Sequence, residues 1–199
     1  MKAKAIWAAV FFLAMGSTSV AAPEEWKVAD GGNGHFYEAF IVPGGIDWND
    51  ANSAAEAAGG YLATITSAQE NAFVFDLIDD DPVFWDDSNP NHSHGSGPWI
   101  GGFQPAGSPE PSGNWTWVTG EPWSYDAWAP GQPNDDFNSG ALQNRAHFLG
   151  YGQLIGPTWN DMQDYNLVPG YVVELVPEPA TLFVMLAAGL PALLKRRRS

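Results

Sequence analysis

The order of hydrophobic and polar positions predicts a strand followed by a helix at the start of the chain. Residues 35–42, HFYEAFIV, are aromatic and β-branched, which is typical of a first strand, and Pro43-Gly44-Gly45 is expected to end it. Asp47 is then placed to cap a helix that runs to about Ala58. The apolar positions on one face of this helix are Trp48, Ala51 and Ala55.

A second helix is predicted directly afterwards. Gly59-Gly60 stops the first helix, and the spacing Ser67-x-x-Glu70 predicts a capping box that opens a helix to about Asp79. Its apolar residues recur at helical spacing and are expected to pack in the core; they are Phe73, Val74, Leu77 and Ile78.

The second half of the chain predicts strands. Trp99–Phe103 is expected to be a central strand whose glycines permit close backbone approach. Ala146–Leu149 and Trp159–Met162 are expected to form short strands of an upper sheet, and residues 170–176, GYVVELV, the last strand. Two consecutive helices beside a strand-rich part predict an α+β fold with small antiparallel sheets and no repeats.

A tryptophan-rich stretch from Trp115 to Asp161 interrupts this regular pattern. Four tryptophans fall between Trp115 and Trp128, and prolines and glycines exclude regular helix or strand beyond a short strand at Trp115–Trp117. Loops this aromatic fold onto a core or present a binding surface. Amide and carboxylate oxygens, the ligands that calcium prefers, cluster in the same stretch at Gln132, Asn134, Asp135, Asp136, Asn160 and Asp161.

Five motifs in order make the sequence resemble a C-type lectin-like domain over roughly residues 26–176. Trp115-Thr116-Trp117 is similar to the W-x-W of that family, and Gln132-Pro133-Asn134 to its sugar-selecting E-P-N or Q-P-D. Trp159-Asn160-Asp161 is identical to its W-N-D triplet. Trp99-Ile100-Gly101-Gly102 resembles its W-I-G-L core strand, and residues 59–73 resemble the segment that links its two helices.

The resemblance implies a calcium site that also binds sugar hydroxyls. Carried over by position, the ligands are Gln132, Asn134, Asn160 and Asp161, with Pro133 as a cis proline. Trp128 is a candidate for stacking on a sugar, as are Trp123, Tyr125 and Tyr151. The family's last strand pairs with its first, which brings the termini together.

Two departures from the family leave the role of this site open. Gln143-Asn144 occupies the region where an acidic ligand is expected, and glutamine replaces glutamate before Pro133. Because calcium affinity falls with the charge of its ligands, the triplet at 159–161 either contributes to a calcium site or anchors the long loop by hydrogen bonds alone. Gln-Pro-Asn is a hybrid of the mannose-type and galactose-type motifs, so it does not name the sugar.

Both ends of the chain predict sorting segments. Residues 1–22 have Lys2 and Lys4, an apolar run and small residues, which indicates a secretory signal peptide; a hydrophobic first helix is the alternative. Pro177-Glu178-Pro179 precedes an apolar run and a basic tail, so residues 177–199 resemble the PEP-CTERM sorting signal of Gram-negative bacteria. That resemblance implies an exosortase substrate, a short transmembrane helix, and export to the cell surface or extracellular matrix. An ordinary C-terminal anchor is the alternative.

Charge and cysteine content narrow the classes of function for the middle domain, residues 23–176. All 23 acidic residues lie between Glu24 and Glu178, where only Lys27 and Arg145 are basic, so nucleic acid is excluded as a partner. The chain has no cysteine, unlike most animal members of the family. His92 and His94 lie in a polar loop where solvent exposure is favoured over metal binding.

These features bear on three classes of function. The leading hypothesis is an exported module that binds carbohydrate or exopolysaccharide, and the second is a calcium-independent adhesion or surface-structural protein. An enzyme is not predicted, because the sequence contains no Ser/His/Asp pattern, phosphate loop or dense metal–histidine cluster.

Overall fold

The structure is a computed structural model that describes residues 18–19, 22–86, 95–136, 142–150 and 156–177. Several predictions lie outside the described residues: most of the signal peptide, His92 and His94, Tyr151, and the sorting segment from Glu178 onward, including Pro179. Within the described ranges, no helix has both the length and the apolar character needed to cross a membrane.

Nine strands and two helices make up the described fold. The helices are α1 (Trp48–Ala57) and α2 (Ala68–Asp76). The strands are β1 (Thr18–Ser19), β2 (Glu24–Glu25), β3 (Phe36–Ile46), β4 (Tyr61–Leu62), β5 (Gly95–Phe103), β6 (Thr116–Trp117), β7 (Arg145–Gly150), β8 (Trp159–Met162) and β9 (Val168–Leu175). The main sheet has the order β1-β3-β9-β5-β7-β8, with β2, β4 and β6 paired to its sides.

The first long strand pairs with the last strand, as the resemblance implies. β3 and β9 run antiparallel, with Phe36 opposite Leu175 and Ile41 opposite Gly170. A single parallel bridge between Trp99 and Tyr171 joins β9 to β5, so the strands form one mixed sheet rather than separate antiparallel ones. The prediction of an α+β fold with two helices is confirmed.

Helix α1 forms as its local sequence predicts. The Asp47 side chain accepts a hydrogen bond from the backbone N–H of Asp50 at 2.9 Å, which satisfies one of the free donors at the helix start. Trp48, Ala51 and Ala55 are buried. Trp48 also donates from Nε1 to the Ile100 carbonyl at 3.0 Å, so this face holds the helix against the central strand.

The predicted capping box of α2 is only half correct. Ser67 accepts from the backbone N–H of Glu70 at 3.1 Å, but the Glu70 carboxylate accepts from the backbone N–H of Thr66 at 2.7 Å and from the Tyr37 hydroxyl. Glu70 is therefore part of a buried network that joins α2 to β3. The helix also ends at Asp76, three residues before the predicted end.

The prediction that Pro43-Gly44-Gly45 ends the first strand is wrong. β3 continues to Ile46, which pairs with Val168, and the register shifts between Ile41 and Ile46. Gly44 and Gly45 adopt positive φ values of 94° and 84°, which lets the strand bulge and rejoin its partner.

The central strand packs closely against the backbone of its neighbour. A Cβ atom on Gly101 would lie 2.5 Å from the Leu62 carbonyl oxygen, so only glycine allows β5 to approach β4 there. Trp99 is fully buried and donates from Nε1 to the Ile46 carbonyl at 2.9 Å. The predicted role of the Trp99–Gly101 motif as a core strand is therefore confirmed.

An apolar cavity of about 410 Å³ lies where β3 bulges, against the segment that leads into β9. Its lining includes Ile41, Val42, Val83 and Leu167. It shares no lining residue with the loop that contains Gln132 and Asn134.

Candidate functional site

Tryptophan rings form the base of the candidate site. Trp117 stacks on Trp123 with ring centroids 4.4 Å apart, and Trp115 meets Trp128 edge-on at 4.6 Å. Trp159 is fully buried and packs edge-to-face against several of the other rings. The predicted short strand at Trp115–Trp117 is confirmed, and both of its tryptophans are buried.

Trp159 also fixes the long loop through its polar atoms. Its Nε1 donates to Asn71 Oδ1 on α2 at 2.9 Å, and its backbone N–H donates to the Ala127 carbonyl at 2.8 Å. The backbone N–H of Ala129 donates back to the Trp159 carbonyl at 2.9 Å. These bonds place Trp128 on the ring cluster, with its side chain half-buried.

The loop turns sharply at the Gln-Pro-Asn motif. The Gln132–Pro133 peptide bond is cis, as the resemblance implies, and the backbone N–H of Gln132 donates to the Ala129 carbonyl at 2.9 Å. Asn134 is exposed, whereas the next residue, Asp135, is fully buried. The loop therefore presents one amide side chain to solvent and turns a carboxylate inward.

Asp161 lies beneath this loop and holds it by its backbone. Its carboxylate accepts from the N–H of Asp135 at 2.7 Å and from the N–H of Asn134 at 3.0 and 3.1 Å. Burial raises the pKa of the Asp161 carboxyl, while these two backbone N–H groups oppose that rise by stabilising the carboxylate. The structure thus brings Asp161 to the motif, with both of its oxygens bonded to loop amides.

The side chain of Asn160 contacts His147, which lies directly opposite on the neighbouring strand β7. Asn160 Nδ2 lies 3.1 Å from His147 Nε2 and donates to the Asp161 carbonyl at 2.7 Å. His147 is fully buried, and burial lowers its pKa to about 4, so the ring is neutral near pH 7. Asn160 and Asp161 are adjacent in sequence, but their side chains bond to different parts of the site.

Buried oxygen atoms without a donor occur in this loop and in the segments linked to it. Five side-chain oxygens there are buried and have no hydrogen-bond donor among the described residues; they belong to Gln104, Glu110, Gln132, Asp135 and Asn144. Burial raises the pKa of Glu110, and the negative charges of Asp135 and Asp161 add to that rise. These three carboxylates are therefore close enough to repel one another.

Backbone contacts connect these residues across the loop. The N–H of Gln104 donates to the Asn144 carbonyl at 3.0 Å, and the N–H of Gln143 donates to Asp135 Oδ1 at 2.8 Å. Gln104 Nε2 donates to the carbonyls of Pro111 and Gly113, which fixes the segment that carries Glu110. The sequence places Glu110 in an unremarkable Pro/Gly/Ser-rich loop, so no local signal identifies it as part of the site.

The oxygen atoms at this loop are of the type that a hard cation prefers. A buried acceptor without a donor costs about 1–3 kcal/mol, and a cation would satisfy several such oxygens together. No three Asp, Glu, His or Cys side chains in the described ranges are arranged to hold a metal ion. A calcium ion here would accordingly draw on the carboxylates of Glu110 and Asp135 and on amide oxygens such as that of Gln132.

The sequence is similar to that of a known protein, although it matches no family profile. The chain is 30% identical over 134 residues to a perlucin-like protein of Mytilus galloprovincialis, a match that covers 67% of this chain and 72% of that protein.

Two solved structures have a similar fold. One is the cow C-type carbohydrate-recognition domain of CD23, crystallised with a GlcNAc2Man3 oligosaccharide; it is 22% identical, with a TM-score of 0.51, and the match covers 79% of this chain and 98% of that one. The other is a calcium-independent type II antifreeze protein; it is 18% identical, with a TM-score of 0.50, and the match covers 70% of this chain and 85% of that one.

Proposed function

This chain belongs to the C-type lectin-like family, and from that premise we propose that it binds carbohydrate at the loop 132–136 with the help of calcium. The observation that carries the proposal is the group of buried oxygens without donors in this loop and in the segments linked to it. Two of these acceptors, on Gln132 and Asp135, belong to the loop itself, and oxygen acceptors of this kind suit a ligand that brings positive charge.

A sugar would approach the outer side of the same loop. Asn134 is exposed there, and an amide side chain offers both a donor and an acceptor to a pair of hydroxyl groups. Trp123 and Trp128 are half-buried and form the adjacent aromatic surface, which suits the apolar face of a sugar ring. Calcium bound on the inner side of the loop would hold the turn in the shape that presents Asn134 to the sugar.

The chain is a binding domain rather than an enzyme, in agreement with the sequence analysis. The proteins that it resembles include a carbohydrate-recognition domain and an antifreeze protein, and none of those reported above is named as an enzyme. The low number of basic residues among so many acidic ones also favours neutral ligands and divalent cations over polyanions.

A second candidate function is calcium-independent adhesion. It is favoured by the hydrogen bonds that the backbone N–H groups of Asn134 and Asp135 donate to Asp161, which hold the loop without any cation. The fold shared with a calcium-independent antifreeze protein is compatible with such a loop. In this alternative the loop is a permanent surface for a protein or polymer, and its shape is the same in calcium and in chelator.

The place of action that we propose is outside the inner membrane. Residues 1–22 would direct export, and residues 177–199, beginning with Pro177-Glu178-Pro179, would be processed by an exosortase after transient membrane insertion. The ligand would then be a polysaccharide of the cell surface or of the matrix.

The proposal is tested by binding of the purified protein to an array of neutral and acidic glycans in calcium, magnesium or chelator. We expect glycan binding in calcium alone, with a loss of about tenfold or more in affinity for Asn134→Ala, because one hydrogen-bonding group is removed from the contact surface. Asn49→Ala is the matched control, since Asn49 is exposed on α1. Equal binding in chelator would favour the second candidate, and binding to no glycan would refute the first.

A further inference from the structure

His147 and Asn160 form a cross-strand pair next to the proposed site. They are directly opposite in the antiparallel pairing of β7 with β8, and on such a pair the two side chains lie on the same face. His147 Nε2 and Asn160 Nδ2 are 3.1 Å apart. His147 is fully buried, whereas Asn160 is half-buried. The histidine is thus an internal neighbour of a residue that reaches the surface.

The hydrogen bonds of the ring determine which nitrogen carries its proton. His147 Nδ1 lies 2.7 Å from the Phe148 carbonyl oxygen, and a carbonyl oxygen only accepts, so Nδ1 carries the hydrogen. A neutral imidazole has a single N–H, which leaves Nε2 as an acceptor. The group that faces Nε2 must therefore be a donor.

The same reasoning fixes the amide of Asn160. Its NH2 group donates one hydrogen to His147 Nε2 and the other to the Asp161 carbonyl at 2.7 Å. A flipped amide would place Oδ1 against two acceptors and lose both bonds. Both donors of the amide are thus directed into the fold, and Oδ1 is on the opposite side of the side chain.

The ring is itself supported by the core. Trp99 packs edge-on against His147 with ring centroids 5.6 Å apart, and Trp99 Nε1 donates to the Ile46 carbonyl at 2.9 Å. A rigid series of contacts therefore runs from β3 through β5 and β7 to Asn160. Support of this kind holds a binding group in one orientation before the ligand arrives.

From these contacts we propose that His147 is a positioning residue: its Nδ1-protonated ring fixes the Asn160 amide so that Oδ1 faces the ligand. This inference rests on the proposed function, because it assigns Asn160 Oδ1 to the contact with sugar or cation. His147 itself does not touch the ligand. Its effect is to remove the alternative amide orientation, which would present a donor where the site requires an acceptor.

Nitrogen-15 NMR of the purified protein tests the orientation without any ligand. We expect the ring-nitrogen shifts of an Nδ1–H tautomer, and nuclear Overhauser effects between the Asn160 NH2 hydrogens and the His147 ring. An Nε2–H tautomer, or an Asn160 amide that exchanges between two orientations, would overturn the proposal. This measurement does not depend on whether the protein binds sugar.

Variants then test the consequence for affinity. His147→Leu removes the acceptor, and we expect about tenfold weaker binding of glycan or calcium. His147→Gln keeps an acceptor facing Asn160 and should restore affinity to within about threefold of the parent. Phe148→Leu is the matched control, because it removes buried volume from the same strand but leaves the backbone carbonyl in place.

The results separate the two proposals. If the parent protein binds neither glycan nor calcium, the proposed function fails, while the NMR tautomer still decides the orientation of Asn160. If the parent binds, and His147→Leu binds as tightly as the parent while folded, the positioning role is refuted. If the His147→Leu protein does not fold, His147→Gln decides: a loss of about tenfold or more in this variant, with Phe148→Leu binding as the parent does, would also refute the positioning role.

Discussion

The Asp161 carboxylate accepts a hydrogen bond from the backbone N–H of Asp135 at 2.7 Å, so Asp161 holds the loop that carries Asp135. The same carboxylate accepts from the N–H of Asn134. A carboxylate from the W-N-D triplet thus shapes the Gln-Pro-Asn turn from beneath.

Replacing this carboxylate should loosen the loop. Asp161→Asn replaces the charged carboxylate by a neutral amide with one acceptor oxygen, which weakens the hydrogen bonds from both loop N–H groups, and we expect a loss of about 1–3 kcal/mol in the free energy of unfolding. Urea denaturation measures the loss, and amide hydrogen exchange should accelerate at Asn134 and Asp135. Asp126→Asn, at an exposed carboxylate, is the control. Unchanged exchange at both amides would show that the Asp161 carboxylate does not hold the loop.

Replacing Glu110 by glutamine should have different effects on the stability of the protein in calcium and in chelator. Burial and the charge of Asp135 raise the pKa of its carboxyl, so Glu110→Gln should leave stability unchanged or higher in chelator. In calcium the same variant should gain less stability than the parent, because a charged ligand has been lost. Thermal denaturation in both buffers measures this crossover. Glu121→Gln, which is exposed, should behave as the parent does, and an identical calcium response in Glu110→Gln would exclude Glu110 from the site.

Acid should destabilise the fold through His147. Its folded-state pKa of about 4 is below the ordinary value of 6.5, so the unfolded chain binds more protons between these values and stability falls as pH drops through that window. The loss approaches about 3 kcal/mol by pH 4, since one pKa unit corresponds to about 1.4 kcal/mol. The raised pKa of Glu174, caused by its burial, acts in the opposite direction in acid.

Comparison with a non-titrating variant isolates this contribution. Urea denaturation in chelator, from pH 7 to pH 4.5, should show a flatter decline in stability for His147→Gln than for the parent. Parallel curves for the two proteins would show that His147 is not the neutral, buried group described here.

Trp128 should matter for folding as well as for ligand contact. Its ring packs against those of Trp115, Trp123 and Trp159, so Trp128→Ala should lower the free energy of unfolding by about 2–4 kcal/mol through lost packing. Tyr165→Ala, at a side chain that is 58% exposed, should change it by less than about 0.5 kcal/mol. If Trp128→Ala keeps the parent's stability and loses only ligand affinity, Trp128 belongs to the binding surface alone.

Elements defined by short-range signals, or implied by motifs of the family that the sequence resembles, were predictable from the sequence. The cap at Asp47, the buried face of α1 and the pairing of the last strand with the first agree with the structure. The cis bond before Pro133 agrees as well. These features depend on adjacent residues or on motifs that occupy fixed positions in the family.

Elements defined by distant partners were not predictable. Glu70 has the spacing of a capping box, but Tyr37 and Asn33, from a different strand and loop, compete for its carboxylate. Glu110 approaches Asp135 only because two loops meet, and His147 faces Asn160 only because of the register of β7 and β8. A periodic pattern predicts which face of a helix or strand carries a residue, but it does not predict which residue of another element lies against it.

The main proposal is that the loop 132–136 is a calcium-dependent site. Thermal denaturation of the purified protein in millimolar calcium, magnesium or chelator tests it most directly. Calcium at 100 times its dissociation constant should stabilise the fold by about 2.7 kcal/mol, which corresponds to a rise of roughly 5–10 °C in Tm for a domain of this size. We predict that rise in calcium alone, and its loss in Asp135→Asn. Superimposable curves in the three buffers would contradict the calcium site and leave the calcium-independent surface as the function to pursue.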